Sequence, residues 1–242
     1  MNSRQTNKNN HTISESNGEY WADNVSKYFG EQPGLVNVNL TLNKGQIHCV
    51  CGANAAGKTT IVRVLAGLLK PDKGKITQPE KKKTGLMLEY SMLYPKLSIA
   101  ENLRFYAGLY GVEKEKHYID KLLESLGLDD LKSERIEVLS AGMQKRASFA
   151  RAIINKPELV LLDEPFSGLD QQAAEKVKAN IKELAGNKSA VLITTHWINQ
   201  VIEFCDEFSV LDKGRLIMNE KAANVDKQAF CRDYVFYARR NG

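Results

Sequence analysis

Gly52-Ala53-Asn54-Ala55-Ala56-Gly57-Lys58-Thr59 decides the reading of this chain. The eight residues fit G-x-x-x-x-G-K-[ST], and their surroundings are those the pattern requires. Gln46 to Cys51 before them reads as a strand. Thr59 to about Leu69 after them reads as an amphipathic helix, stopped by Lys70-Pro71. In such a loop the backbone N–H groups turn inward to hold β- and γ-phosphates, and the helix N-terminus adds partial positive charge. Lys58 supplies a point charge to those phosphates, and the Thr59 hydroxyl is a hard oxygen ligand suited to Mg²⁺. The plain alternative is a glycine turn beside a surface lysine, and the flanking strand and helix argue against it. Residues Gly52 through Thr60 are expected to bind a nucleoside triphosphate.

Further along, Glu158-Leu159-Val160-Leu161-Leu162-Asp163-Glu164-Pro165 is an apolar strand ending in two acids. A central parallel strand is apolar on both faces, and its C-terminal edge is where open α/β sheets bind ligands. Asp163 is placed to hold Mg²⁺ or its water shell. Glu164, one residue on and aimed elsewhere, is placed to polarise an attacking water. An acidic strand end alone is as often a turn or helix cap; the phosphate loop upstream tips the balance toward function.

The remaining periodicities set these two motifs in an α/β domain. Tyr20 to Phe29 and the alternating Leu35 to Leu42 read as strands with one buried face. From Ile99 to about Ile154 the pattern turns helical. Leu103, Tyr106, Ala107 and Tyr110 lie on one helix that Gly111 ends. Leu122, Leu123, Leu126 and Leu128 belong to a second helix, and Met143 to Ile154 to a third. Strand character returns at Leu159–Leu162, Ala190–Thr194 and Phe208–Leu211, and Asp212-Lys213-Gly214 turns into Arg215–Met218. Residues 1–18 are Asn- and Ser-rich and read as a disordered polar tail.

Composition bounds the rest. With 242 residues, 43% hydrophobic and 26% charged, the chain is globular rather than low-complexity or disulfide-stapled. It has no run of 18 apolar residues to cross a bilayer, and its first eighteen residues lack the apolar stretch of a signal peptide. The net charge is +5. Its main source, Lys70, Lys73, Lys75 and Lys81 to Lys83, flanks a Pro71-Asp72-Lys73-Gly74 turn and reads as solvated surface, so no nucleic-acid partner is expected. Cys49, Cys51, Cys205 and Cys231 form no C-x-x-C. Cys49 and Cys51 alternate along a strand and should share one buried face, as reduced thiols in a cytosolic compartment.

Together these motifs resemble the nucleotide-binding subunit of an ATP-binding-cassette (ABC) transporter, over residues 19 to about 235. Leu139-Ser140-Ala141-Gly142-Met143, with Arg146 after it, looks like the family's L-S-G-G-Q signature. Ser167-Gly168-Leu169-Asp170 is similar to its D-loop, and His196 in Ile193-Thr194-Thr195-His196 to its switch histidine. Phe29 before Gly30 matches the aromatic that stacks on adenine. The resemblance implies a P-loop NTPase core with a mixed, largely parallel sheet, an antiparallel β subdomain, and an α-helical subdomain inserted at about 90–156. It implies ATP and Mg²⁺ as ligands. Phe29, Gly52, Ala53, Asn54, Ala55, Ala56, Gly57, Lys58, Thr59 and Thr60 would bind nucleotide, Ser140 and Gly142 would reach a γ-phosphate, and Thr59, Glu89 and Asp163 would serve the metal. Glu164 and His196 would be catalytic. A surface or capping role is the plain reading of His196, a core role of Phe29, and an N-cap role of Ser140.

Five positions depart from the family pattern. Ala53 and Ala55 replace the usual Pro and Gly in the phosphate loop, and alanine at a positive φ costs on the order of 1 kcal/mol. Ala141 and Met143 replace a Gly and the Gln of the signature. Glu89 stands where Gln is usual, between core and insertion, and its added charge predicts a tighter Mg²⁺ dependence.

The signature lies too far from the phosphate loop of its own chain in this family. The resemblance therefore implies a head-to-tail dimer, of two copies or of this chain with a homologous ATPase subunit, that sandwiches two ATP molecules. An integral-membrane permease would dock near Glu89 to Lys96, placing the chain on the cytoplasmic face of the cell membrane. Tyr94-Pro95-Lys96-Leu97-Ser98, Glu101 to Tyr106, and the stretch Lys227 to Phe236 are similar to exporter ATPases, among them the haem exporter of cytochrome c maturation. Two other classes compete. A soluble ABC ATPase acting on ribosomes or nucleic acid would carry two cassettes or a long coiled-coil insertion. A non-hydrolysing regulatory module would accord with Ala53, Ala55 and Met143, and measurable ATPase activity would eliminate it.

Overall fold

The computed structural model describes residues 19–112, 115–232 and 234; the tail expected at 1–18 lies outside them, as do positions 233, 235 and 236 of the C-terminal stretch. A three-stranded antiparallel sheet places β1 (Glu19–Phe29) between β2 (Gln32–Asn43) and β4 (Lys73–Thr77). The second sheet has six strands: β3 (Ile47–Cys51), β5 (Thr84–Met87), β6 (Leu159–Asp163), β7 (Ala190–Thr195), β8 (Glu207–Asp212) and β9 (Arg215–Lys221). They are ordered β5-β6-β7-β3-β8-β9, with every pair parallel except β8 with β9. The mixed, largely parallel core and the antiparallel sheet are those expected.

One helix, α1 (Lys58–Leu65), lies between the sheets, and the alternation of side chains explains why. Leu159 and Leu161 of β6, Val50 of β3 and Leu192 of β7 join Ile61, Val62, Val64 and Leu65 in a core shared with Leu35, Val38, Leu40 and Leu42 of β2. The intervening residues, Val160 and Leu162, Cys49 and Cys51, Val191 and Ile193, point to the opposite face. That face is covered by α2 (Ile99–Tyr110), α3 (Glu115–Leu126) and α4 (Ala141–Ile153), which intervene between β5 and β6, and by α5 (Gln171–Gly186). Covered on both sides, β3, β6 and β7 are buried at every position, which is why their sequences are apolar runs rather than alternations. Cys49 and Cys51 share a buried face, as their spacing predicts.

Local signals set the helix ends. Ser98 and Glu101 form a capping box at α2, and Gly111 ends it at φ 69°. Asp170 caps α5 by accepting from the Ala173 amide at 2.8 Å. The helix after the phosphate loop stops at Leu65 rather than Leu69. Gly67, at φ 67°, ends the run, and the Leu68 and Leu69 amides turn back to the Arg63 carbonyl, so Pro71 is not the stop signal.

Two strands had no clear signature. β4 contains Lys73 and Gly74, read above as a turn, and pairs along β1 with its Lys73–Lys75 stretch exposed. An edge strand open to solvent needs no apolar alternation. β5 is only four residues long. At the start of β6, Glu158 meets Lys83 at 2.6 Å, Lys44 at 3.2 Å and the Tyr20 hydroxyl at 3.0 Å. The Lys83 bond, with those from Tyr20 and Lys44, pulls its carboxyl down to about 2. These contacts tie the antiparallel sheet to the N-terminal end of the parallel one.

Candidate nucleotide and catalytic site

The site forms at the opposite edge, where parallel register brings three strand ends together. Cys51 of β3 lies beside Thr195 of β7, and Asp163 of β6 beside Thr194. The phosphate loop, the acidic pair and His196 therefore leave the sheet side by side, although they come from distant parts of the chain.

Glycine is required at two loop positions. A Cβ on Gly52 would lie 2.5 Å from the Leu211 carbonyl oxygen, and one on Gly57, at φ 109°, would lie 2.5 Å from that of Gly34. Ala55 also adopts positive φ, 61°, so the alanine substitution is tolerated with the backbone the loop demands. Ala55→Gly should relieve strain of about 1 kcal/mol, partly offset by the greater freedom of glycine in the unfolded chain. A small rise in the urea midpoint is expected; a fall would contradict the strain argument.

Lys58, at the start of α1, is buried, and its ammonium donates to the carbonyls of Gly52 at 2.8 Å and Ala53 at 2.9 Å. Burial pushes its pKa down, and Glu164 and Asp163 pull it back up. The Thr59 hydroxyl donates to Asp163 Oδ2 at 2.7 Å, while Thr194 Oγ1 holds Oδ1. Glu164 Oε1 lies 3.7 Å from Lys58 Nζ and 2.7 Å from His196 Nδ1. An ionised carboxylate only accepts, so Nδ1 is the donating nitrogen of that pair. Donation from Nε2 toward an anion then requires a second proton on the ring.

These groups line a cleft of about 480 Å³, of a size typical for small-molecule sites. Phe29, at the end of β1 and 51% exposed, forms one wall. A Cβ on Gly34 would lie 2.7 Å from its ring, so glycine there lets the aromatic lie against the backbone. Asn54, Ala55, Gly57, Lys58, Thr59 and Thr60 supply the floor, and Glu89 stands in the same cleft. Gly52, Ala53 and Ala56 belong to the loop but are buried behind it. The donor set fits Mg²⁺: Thr59 and Asp163 are hard oxygens in mutual contact, and Glu89 adds a third. Among the described residues no cluster of three His, Cys, Asp or Glu could cage a metal alone.

Ser140 and Gly142 are absent from the cleft lining. Ser140 caps α4, accepting from the Met143 amide at 3.3 Å, so the capping role read from sequence holds. Gly142 faces the Gly168 carbonyl, and Arg146 donates to the carbonyls of Leu126 and Gly127 at the end of α3. Sequence reasoning missed Gln32, Pro33, Gly34, Lys145 and Ser167 in the cleft. Ser167 belongs to the Ser167-Gly168-Leu169-Asp170 motif, which is a signal for it; the others carry no local signature.

Comparison with known proteins places this geometry. The ABC transporter family profile matches residues 35–167. Linearmycin resistance ATP-binding protein LnrL of Bacillus subtilis is 31% identical over 208 residues, 81% of this chain and 67% of the relative. The Nod factor export ATP-binding protein I of Cupriavidus metallidurans is 32% identical, covering 86% of this chain and 73% of the relative. Among solved structures, an ATP-binding subunit of an ABC transporter superposes with a TM-score of 0.82 at 24% identity, covering 91% of this chain and 99% of that one. A bacterial ABC transporter cassette solved as a dimer gives 0.75 at 26% identity, with 84% and 98% covered. The chain belongs to the ABC transporter family, as an ATP-binding subunit built on the family's ATPase cassette.

Proposed function

We propose that this chain hydrolyses ATP to power export through a separate membrane permease, working as one half of a head-to-tail dimer. The observation that carries the proposal is the division of the site. One cleft holds the phosphate loop, the acidic pair and His196, while Ser140 and Gly142 stand outside it and are available to a second subunit. The relatives named for drug resistance and Nod factor export favour an exporter. They lend no support to the haem-exporter resemblance, so no cargo is assigned. Among the described residues no helix is long and apolar enough to cross a membrane, and the proposed attachment to the cytoplasmic face is through the permease.

In this reading the loop amides and Lys58 bind the β- and γ-phosphates, and Phe29 stacks on the base. Thr59 and Asp163, with Glu89 in the same cleft, would hold Mg²⁺, which would supply charge neutralisation at the phosphates. Glu164 orients the attacking water and accepts its proton, and His196, bonded to Glu164, turns its Nε2 toward the γ-phosphate. Ser140 and Gly142 of a facing subunit close over that phosphate, and ATP thereby draws the two subunits together. Loss of the bridging γ-phosphate reopens them, and the permease exploits the difference between the two states.

Gentle solubilisation of native membranes, with this chain tagged at its C-terminus, tests the proposal. A multi-span membrane protein should co-purify; recovery with ribosomes or nucleic acid from the soluble fraction would overturn it. Glu89 is tested separately by a Mg²⁺ titration of ATPase activity. Glu89→Gln should shift the half-saturating concentration upward by roughly the few-fold effect of one charge in a solvent-open cleft. Superimposable curves would remove Glu89 from the metal's surroundings.

A further inference from the structure

We propose that Lys145 is a positioning residue of this site, acting from the helical insertion on the backbone of Glu164 and offsetting the charge of Glu89. The inference rests on the role proposed above for Glu164. Lys145 lies in α4, just over one turn after the Ser140 cap, and its ammonium donates to the Glu164 carbonyl at 3.0 Å. It is half-buried and lines the cleft together with Glu89, Asp163 and Glu164.

Glu164 needs such a restraint. It sits at φ 50°, the left-handed region that a residue with a Cβ adopts only under constraint. Its amide donates to the Thr194 carbonyl at 3.0 Å, and its own carbonyl accepts from the Ser167 amide at 3.3 Å and from Lys145. The bond from Lys145 is the shorter of the two and is charge-assisted. This strained turn fixes the direction in which the carboxylate leaves the chain, toward Lys58 and His196. Releasing the turn would let the carboxylate swing while leaving the phosphate loop intact.

Charge points the same way. Among the described residues no carboxylate lies within ion-pair distance of the Lys145 ammonium. Burial pushes its pKa down, and Glu164, Glu89 and Asp163 oppose that shift. A partly desolvated ammonium that bonds a carbonyl instead of an acid is held by the field of the cleft as a whole. Glu89 adds one negative charge to that cleft, and Lys145 joins Lys58 as a lysine lining it.

Packing of α4 does not depend on this side chain. Arg151 donates to the Leu86 carbonyl and Ser148 to that of Ser91, and together they attach the later turns of the helix to the core. Lys145 makes the polar side-chain bond from α4 to the segment after β6 among the described residues. It therefore connects the helix that begins at the signature of one site to the proposed base of the other.

Steady-state kinetics of the full chain, with its permease where activity requires it, test the inference. Lys145→Met should lower kcat by about tenfold or more, the scale of a misplaced catalytic group, with KM for ATP within about threefold of wild type. Binding of a fluorescent ATP analogue without metal should stay within about threefold of wild type, far short of the loss expected for Lys58→Met, and the melting temperature should fall by no more than the few degrees that one lost hydrogen bond costs. Lys145→Arg should keep most of the turnover, because a guanidinium can donate to the same carbonyl. At saturating Mg²⁺, Lys145→Met combined with Glu89→Gln should turn over faster than Lys145→Met alone. Should the methionine variant not fold, Lys145→Leu, which likewise has no donor for the Glu164 carbonyl, carries the same comparison. Wild-type kcat in the Lys145 variants, alongside an inactive Glu164→Gln, would overturn the inference. So would a loss that follows the melting temperature and is shared by Lys145→Arg. An active Glu164→Gln would instead remove the reading of Glu164 on which the inference rests.

Discussion

Glu164→Gln is expected to reduce turnover by at least about a hundredfold while still binding ATP. Glutamine matches glutamate in size and accepts the bond from His196 through its amide oxygen, so the turn at φ 50° can persist. Its amide cannot take a proton from water. It also removes a negative charge 3.7 Å from Lys58, within the cleft where the triphosphate would lie. Nucleotide affinity should therefore be kept or improved, since one source of repulsion is gone. With closure intact and hydrolysis blocked, the variant should accumulate as an ATP-dependent dimer visible by light scattering. A monomer at saturating ATP would count against the sandwich arrangement, and wild-type turnover against Glu164 as the base.

Lys58→Met should weaken ATP binding by roughly ten- to a hundredfold, the scale of a charge-assisted contact to phosphate. Lys58 is buried, and its ammonium is shared between the Gly52 and Ala53 carbonyls and the acids of the cleft. Methionine fills the same volume, so the fold should survive, but it leaves the two carbonyls and the phosphates without a donor. Asp163 and Glu164 would then face the triphosphate with one cation fewer. Titration with a fluorescent ATP analogue reads the effect directly. An unchanged dissociation constant would show that the loop amides suffice and that Lys58 serves only the loop's own conformation.

Lys58 and Glu164 are marked in the sequence by different physical demands. Gly52, Gly57, Lys58 and Thr59 are adjacent in the chain and answer to one local demand, a backbone that wraps phosphate at a helix N-terminus. Such a demand fixes residue types at fixed offsets, so it could be read directly. Asp163 and Glu164 were readable because a strand buried on both faces must be apolar up to the edge where it meets solvent. Phe29, Glu89, Ser140 and His196 had no such local mark and were found through their resemblance to a family. Glu164 was placed by sequence, but its left-handed backbone was not foreseen.

Sequence by itself determined the nucleotide loop, the acidic strand end, the helical insertion and the parallel core strands β3, β6, β7 and β8, because each has a short-range period or a local steric requirement. Only the tertiary structure decided that Lys73 to Thr77 adds a strand to β1, that Gly67 ends α1, and which residues share the cleft. It alone brought Lys145 to the Glu164 carbonyl. Those facts follow from strand register and helix packing, which depend on contacts between residues far apart in the chain. Lysine in the middle of a helix has the same sequence appearance whether it faces water or a strained carbonyl.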